Sequence, residues 1–92
     1  MHASSLRILK SLAHPTRLEI VGSALGKEEV TCQELSRKFD LAQPTMSHHF
    51  NKLVDAGVLT NRRQGTLWHY SLNEQYLNSL GINIGQLLTT KE

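Results

Sequence analysis

Few residues in this chain are of a type that does covalent, acid–base or metal chemistry. There are one cysteine, five histidines and eight acids among 92 residues. Nucleophilic catalysis needs a thiol or hydroxyl with a base and an orienting group in reach, and no Lys, Arg or His adjoins Cys32 to lower its pKa. Cys32 precedes Leu35 by three residues and Phe39 by seven, so it shares their inward helical stripe and is expected to pack as a small hydrophobe. A thiol-responsive role for Cys32 is the alternative. Glu28-Glu29 reads as a solvated turn and not as a converging carboxylate pair, and no glycine-rich phosphate loop is present. His48 and His49 are adjacent on a helix, hence about 100° apart, and cannot readily share a metal ion. No enzyme, cofactor or metal site is expected.

The chemistry left is recognition. Composition (39% hydrophobic, 20% charged) fits one globular domain over residues 1–92 and excludes a disordered tail. No apolar run approaches the roughly 20 residues of a membrane span, and Met1 to Ser5 lacks the pattern of a secretory signal. With a single cysteine besides, a cytoplasmic protein is expected. The net charge of +2 is small, but its distribution is uneven. Five of the eight acids (Glu19, Glu28, Glu29, Glu34, Asp40) lie in the first 40 residues, whereas residues 41–73 hold only Asp55 against Lys52, Arg62 and Arg63, with His48, His49 and His69 beside them. An anionic partner belongs with that middle stretch.

The elements that must position these groups follow from periodicity. Leu6, Leu9 and Leu12 give a first short helix ending near His14-Pro15. A second opens there, with Thr16 and Glu19 at capping-box spacing, carries Leu18, Val21 and Leu25, and closes at Gly26. Thr31 and Glu34 form another capping box, opening a third helix. After the turn Asp40-Leu41-Ala42, a fourth starts at Gln43-Pro44 and runs to Ala56-Gly57. Two helices joined this closely form a helix-turn-helix. The period then becomes two: Val58–Arg63 and Leu67–Leu72 flank Gln64-Gly65-Thr66 as a β-hairpin, with Trp68 and Tyr70 expected in the core and His69 on the strand surface. A last helical stretch begins near Asn73-Glu74, interrupted by Gly81 and Gly85. The expected fold is mainly α with a small hairpin, in the order α-α-α-α-β-β-α: a winged helix-turn-helix.

On the fourth helix Met46, Phe50, Leu53 and Gly57 fall within an arc of about 60° and face the core. The opposite side carries Pro44, Thr45, His48, Asn51, Lys52 and Asp55, with Ser47 at its edge and His49 toward the packed side. Short polar groups near a helix N-terminus suit base edges and phosphates in a major groove. The arginine-tipped hairpin behind (Arg62, Arg63, Gln64) suits a backbone or minor groove. Double-stranded DNA is therefore the expected partner. A protein-docking module is the alternative, but its outer face would be acidic or apolar, and apart from Asp55 this one is neither. Leu6 and Leu9, with Tyr76, Leu77, Leu80 and Leu87, offer more apolar surface than one short terminal helix needs. Residues 5–13 and 74–89 are therefore expected to form a homodimer seam, and the DNA site to be two-fold symmetric.

Three motifs carry a family resemblance. Leu12-Ala13-His14-Pro15-Thr16-Arg17-Leu18-Glu19-Ile20 resembles the opening of the ArsR/SmtB family of winged-helix bacterial repressors. So do Gln43-Pro44-Thr45-Met46-Ser47-His48-His49-Phe50 and the run Leu53 to Leu59 followed by Arg62-Arg63-Gln64-Gly65. The match spans residues 6 to 80. It implies a homodimeric DNA-binding repressor, recognition by Gln43, Thr45, Ser47 and His48, a wing at residues 60–72, and release from DNA by an effector, often a metal ion. Ala42 departs from the family's usual serine, which would cap the recognition helix. The family's thiolate positions fall on Thr31, Gln33 and Ser36, and its alternative site needs histidines on the last helix, where this chain has Glu74. The resemblance thus implies a regulator without the usual metal site, its effector unspecified.

Overall fold

A computed structural model describes residues 3–89. Its elements are α1 (Ala3–Leu12), α2 (Pro15–Leu25), α3 (Cys32–Phe39), α4 (Gln43–Ala56), β1 (Leu59–Gln64), β2 (Leu67–Leu72), α5 (Glu74–Ser79) and α6 (Ile84–Thr89). The predicted order is found, with one refinement. The last helical stretch is two short helices, because Gly81 adopts φ 79° and the Ile82 N–H returns to the Leu77 carbonyl at 2.9 Å, closing α5. Asn83 then caps α6, its side-chain oxygen accepting from the Gln86 N–H at 2.9 Å.

Helix ends explain much of the chain's path. Thr31 and Glu34 make the expected capping box: the Glu34 N–H donates to the Thr31 hydroxyl at 3.2 Å, and the Thr31 N–H to the Glu34 carboxylate at 2.9 Å. The expected box at Thr16 and Glu19 does not form. Pro15 takes the first helical position and has no N–H to offer, so the first free donor is the Thr16 amide, and it reaches the ring of His14 at 3.2 Å. His14 is therefore the N-cap. Gly26 closes α2 at φ −91° and so does not use a left-handed conformation. Asp40, at φ 53°, ends α3, and Gly57, at φ 87°, ends α4.

The core joins all these elements. Ile8, Ile20, Val21, Leu35, Met46, Phe50, Leu53 and Val58 are buried, with the Phe50 ring 4.3 Å from that of Tyr70. On α2 the innermost residues are Ile20, Val21 and Ala24, while Leu18 and Leu25 pack at the margin.

The hairpin pairs Leu59 with Leu72 through to Gln64 with Leu67, so its loop is only Gly65-Thr66. Gly65 takes φ 65° at the first loop position, as a type II′ turn requires. Val30, just before α3, adds two backbone hydrogen bonds to Tyr70 (2.9 and 2.8 Å), so the base of the wing is tied to the start of the helix-turn-helix. No helix among the described residues is long and apolar enough to cross a membrane.

Candidate nucleic-acid interface

Burial on α4 follows the helical wheel. Met46, His49, Phe50 and Leu53 are inside; Gln43, Pro44, Thr45, His48, Asn51, Lys52 and Asp55 are exposed, and Ser47 is half-buried. Ala42 occupies the N-cap without a side-chain hydrogen bond, so the first-turn amides of α4 carry no side-chain cap. Those N–H groups, with the positive end of the helix dipole, suit an anion such as a phosphate.

His49 is structural. Its ring lies 4.7 Å from that of His14 and 3.5 Å from Arg17 Nη1. Burial pushes its pKa below the ordinary imidazole value, and the positive charges of His14, Arg17 and His48 push the same way. His48 stays outside.

The wing divides its two arginines. Arg62 grips Glu29 with Nε and Nη2 at 2.5 and 2.6 Å and reaches Gln64 Oε1 at 3.1 Å. Its hydrogen bond and charge hold the Glu29 carboxyl below its ordinary pKa, with a smaller push from His69, whose ring nitrogen lies 3.8 Å away. Glu29 is therefore not the freely solvated residue its sequence context indicates, and Arg62 is already committed within the chain. Arg63 lies 5.9 Å from the Trp68 ring centre and donates to the Gly65 carbonyl at 3.0 Å.

Trp68 corrects a second expectation. It shares a strand face with Tyr70, yet Tyr70 is 5% exposed and Trp68 43%, because the core ends between them. Trp68 instead walls a cleft of about 450 Å³ between the wing and the first turns of α3 and α4, which also involves Gln33, Gln43, Pro44 and Ser47. Cys32 sits half-buried in that wall. Burial raises its thiol pKa against a hydrogen bond with Tyr70 that lowers it, and the Tyr70 phenol is pushed up to about 12, chiefly by burial. The thiol packs partly on the core, and no Lys, Arg or His side chain is among the groups that shift it.

At the family's thiolate positions, Thr31 is a helix cap, Gln33 is exposed, and the Ser36 hydroxyl donates to the Leu41 carbonyl. Among the described residues no three His, Cys, Asp or Glu side chains converge as a metal site would require.

The expected dimer residues do not all behave alike. Leu6, Leu9, Tyr76 and Leu87 are exposed, at 36–53%, and Leu80 is half-buried. Leu77 has no exposure at all: it faces the core from α5, so it belongs to the protomer's interior and not to a seam. Leu9, Ile82 and Leu87 line one shallow cleft, which brings the exposed faces of α1 and α6 together.

A helix-turn-helix with a polar, uncapped second helix, backed by a hairpin tied to its base, defines a winged helix-turn-helix domain. A family described as a helix-turn-helix domain matches residues 12–62. The chain is 36% identical over 85 residues to the arsenical resistance operon repressor of Staphylococcus xylosus, covering 92% of this chain and 81% of that one. It belongs to the ArsR/SmtB family of winged helix-turn-helix transcriptional regulators. Among solved structures it superimposes on HlyU from Vibrio cholerae with a TM-score of 0.79 at 27% identity, covering 92% and 88% of the two chains. A homodimeric winged helix-turn-helix DNA-binding domain from Mycobacterium bovis shares the fold, with a TM-score of 0.79, 21% identity and coverage of 92% and 75%.

Proposed function

We propose that this chain is a homodimeric repressor that reads a two-fold symmetric duplex site and carries no enzymatic activity. The observation behind this is the outer face of α4, exposed and nearly uncharged at its N-terminal half, with the wing alongside. Gln43, Thr45, Ser47 and His48 read base edges from the major groove, while Asn51 and Lys52 contact the groove's border. Arg63, backed by Trp68, anchors the wing on phosphate; Arg62 chiefly orients the wing through Glu29. Leu6, Leu9, Tyr76 and Leu87 form the seam, and a dimer would set the two α4 helices about 34 Å apart, one helical turn of DNA. The Mycobacterium bovis neighbour is homodimeric, which supports a dimer but says nothing of its seam residues. A cytoplasmic location fits this reading. The metal-ligand positions of the family, filled here by Thr31, Gln33 and Ser36, favour regulation without the usual metal.

Selection of bound fragments from a genomic library, with heparin as competitor, tests the proposal. A palindromic motif with half-sites about 10 bp apart is expected. Retention no better than on heparin overturns it. In the same assay Arg63→Ala should weaken binding to all sequences alike and lower the salt slope by about one unit for each phosphate no longer neutralised. A loss confined to the selected motif would sink the role given to the wing.

A further inference from the structure

The first seventeen residues bring three cations to the far end of α4. Arg7 and Lys10 on α1, Arg17 on α2 and Lys52 on α4 surround a cleft of about 350 Å³, with Asp55 as the one acid in its lining. Two of the four are fixed in place. Arg7 Nη2 donates to the Asp55 carbonyl at 3.0 Å, and Arg17 Nε donates to the Ser11 carbonyl at 2.6 Å. Each guanidinium keeps further N–H groups for another acceptor. Among the described residues the Lys10 and Lys52 side chains have no hydrogen-bond or ion-pair partner, and both are exposed. Elsewhere Lys27 pairs with Glu34 and Arg62 with Glu29. This cleft is therefore a place where positive charge is gathered by the fold and left largely unneutralised.

Its position says what it would hold. Lys52 follows Thr45 and His48 by seven and four residues, on the same outward row of α4. The wing flanks the opposite, N-terminal end of that helix, beside Gln43, Pro44 and Ser47. A duplex lying along α4 therefore has the wing at one border and the basic cleft at the other. α1 also carries Leu6 and Leu9 of the dimer seam, so in a dimer the two clefts lie on the inner side, toward the two-fold axis.

We infer that Arg7, Lys10, Arg17 and Lys52 form a phosphodiester-binding cradle that grips the DNA backbone between the two half-sites. The inference rests on the DNA-binding reading of α4 and adds to its Lys52 a backbone-gripping region supplied by α1 and α2.

Lys10→Gln is the informative variant, since Lys10 is exposed and its side chain bonds to nothing among the described residues. Fluorescence anisotropy would follow the selected palindrome and a random-sequence duplex over a range of salt. The slope of log K against log salt should fall by about 2 for a dimer, one lysine per protomer. Affinity should drop by a similar factor on both duplexes, and Lys10→Arg should restore both. Ethylation interference on the wild-type complex should mark phosphates at the centre of the palindrome, with the marks weakened in Lys10→Gln. A wild type that binds with silent central phosphates, or an unchanged slope in the variant, overturns the cradle and leaves the repressor reading intact. A wild type that binds no duplex overturns both.

Discussion

The helix-turn-helix with its wing and the surface formed by α1, α5 and α6 are built on different terms. In the first, the elements are tied together around a filled core: Thr31 caps α3, Gly57 ends α4, Val30 pairs with Tyr70, and the Phe50 ring packs at a tilt against that of Tyr70. In the second, α5 and α6 have six residues each, and Leu6, Leu9, Tyr76 and Leu87 face outward. The contrast separates what one protomer completes alone from what a second copy would complete. A chain of this length has a small core, so apolar surface left open on one side is the natural place for an interface.

The largest effect expected from breaking this contrast is in the core. Phe50→Ala should cost about 3–5 kcal/mol of folding stability, measured by urea unfolding, because it opens a cavity under Tyr70. The same truncation at exposed Leu87 should cost the protomer little when measured at concentrations too low for a dimer, and a comparable loss there would erase the distinction. Next comes the seam: Leu9→Asp with Leu87→Asp should shift the dimer toward monomer in sedimentation velocity, by about 2 kcal/mol or more. Retained dimer would place the interface elsewhere. Gly57→Ala tests the join between the regions. It forces a side chain at φ 87° and sets its Cβ 2.9 Å from Tyr76, so a loss of about 1–3 kcal/mol is expected in thermal unfolding.

The smallest effect is on pH. His49 titrates lower in the folded protein than in the unfolded chain, so the folded state resists a proton that the unfolded state accepts. Stability should hold above about pH 6.5, the ordinary imidazole value, and fall as pH drops from there through the lowered folded value. His49→Gln should flatten that limb in urea titrations at successive pH values. An unaltered limb would assign the dependence to another group.

Features set by neighbours in sequence were legible before the structure. Pro44, the Thr31 and Glu34 pair, Gly57 and the stripe of Met46, Phe50 and Leu53 each declare a local rule, and each is found. One local expectation failed, the Thr16 and Glu19 box, because Pro15 leaves the Thr16 amide to bond His14; the others that escaped depend on distant partners. Nothing near Arg62 announces Glu29, 33 residues earlier. Alternation places Trp68 with Tyr70 and cannot show that the core ends between them. Leu77 reads like its exposed neighbours until α5 turns it inward. The basic cleft stayed hidden because charge counted along the chain assigns Arg7, Lys10 and Arg17 to the acid-rich end. On α4 the fold leaves Gln43, Thr45, His48, Asn51 and Lys52 exposed and Ser47 half-buried.

The clasp of Arg62 on Glu29 has a consequence for how this hairpin would meet a polyanion. A ribbon already latched to the body has little wandering left to surrender on contact, so less ordering entropy opposes docking. The latch also removes one positive charge from the tip, and long-range attraction there falls to Arg63. The molecule thus exchanges some electrostatic pull for a preset angle of approach, and dissolved ions would loosen the latch and weaken the pull together.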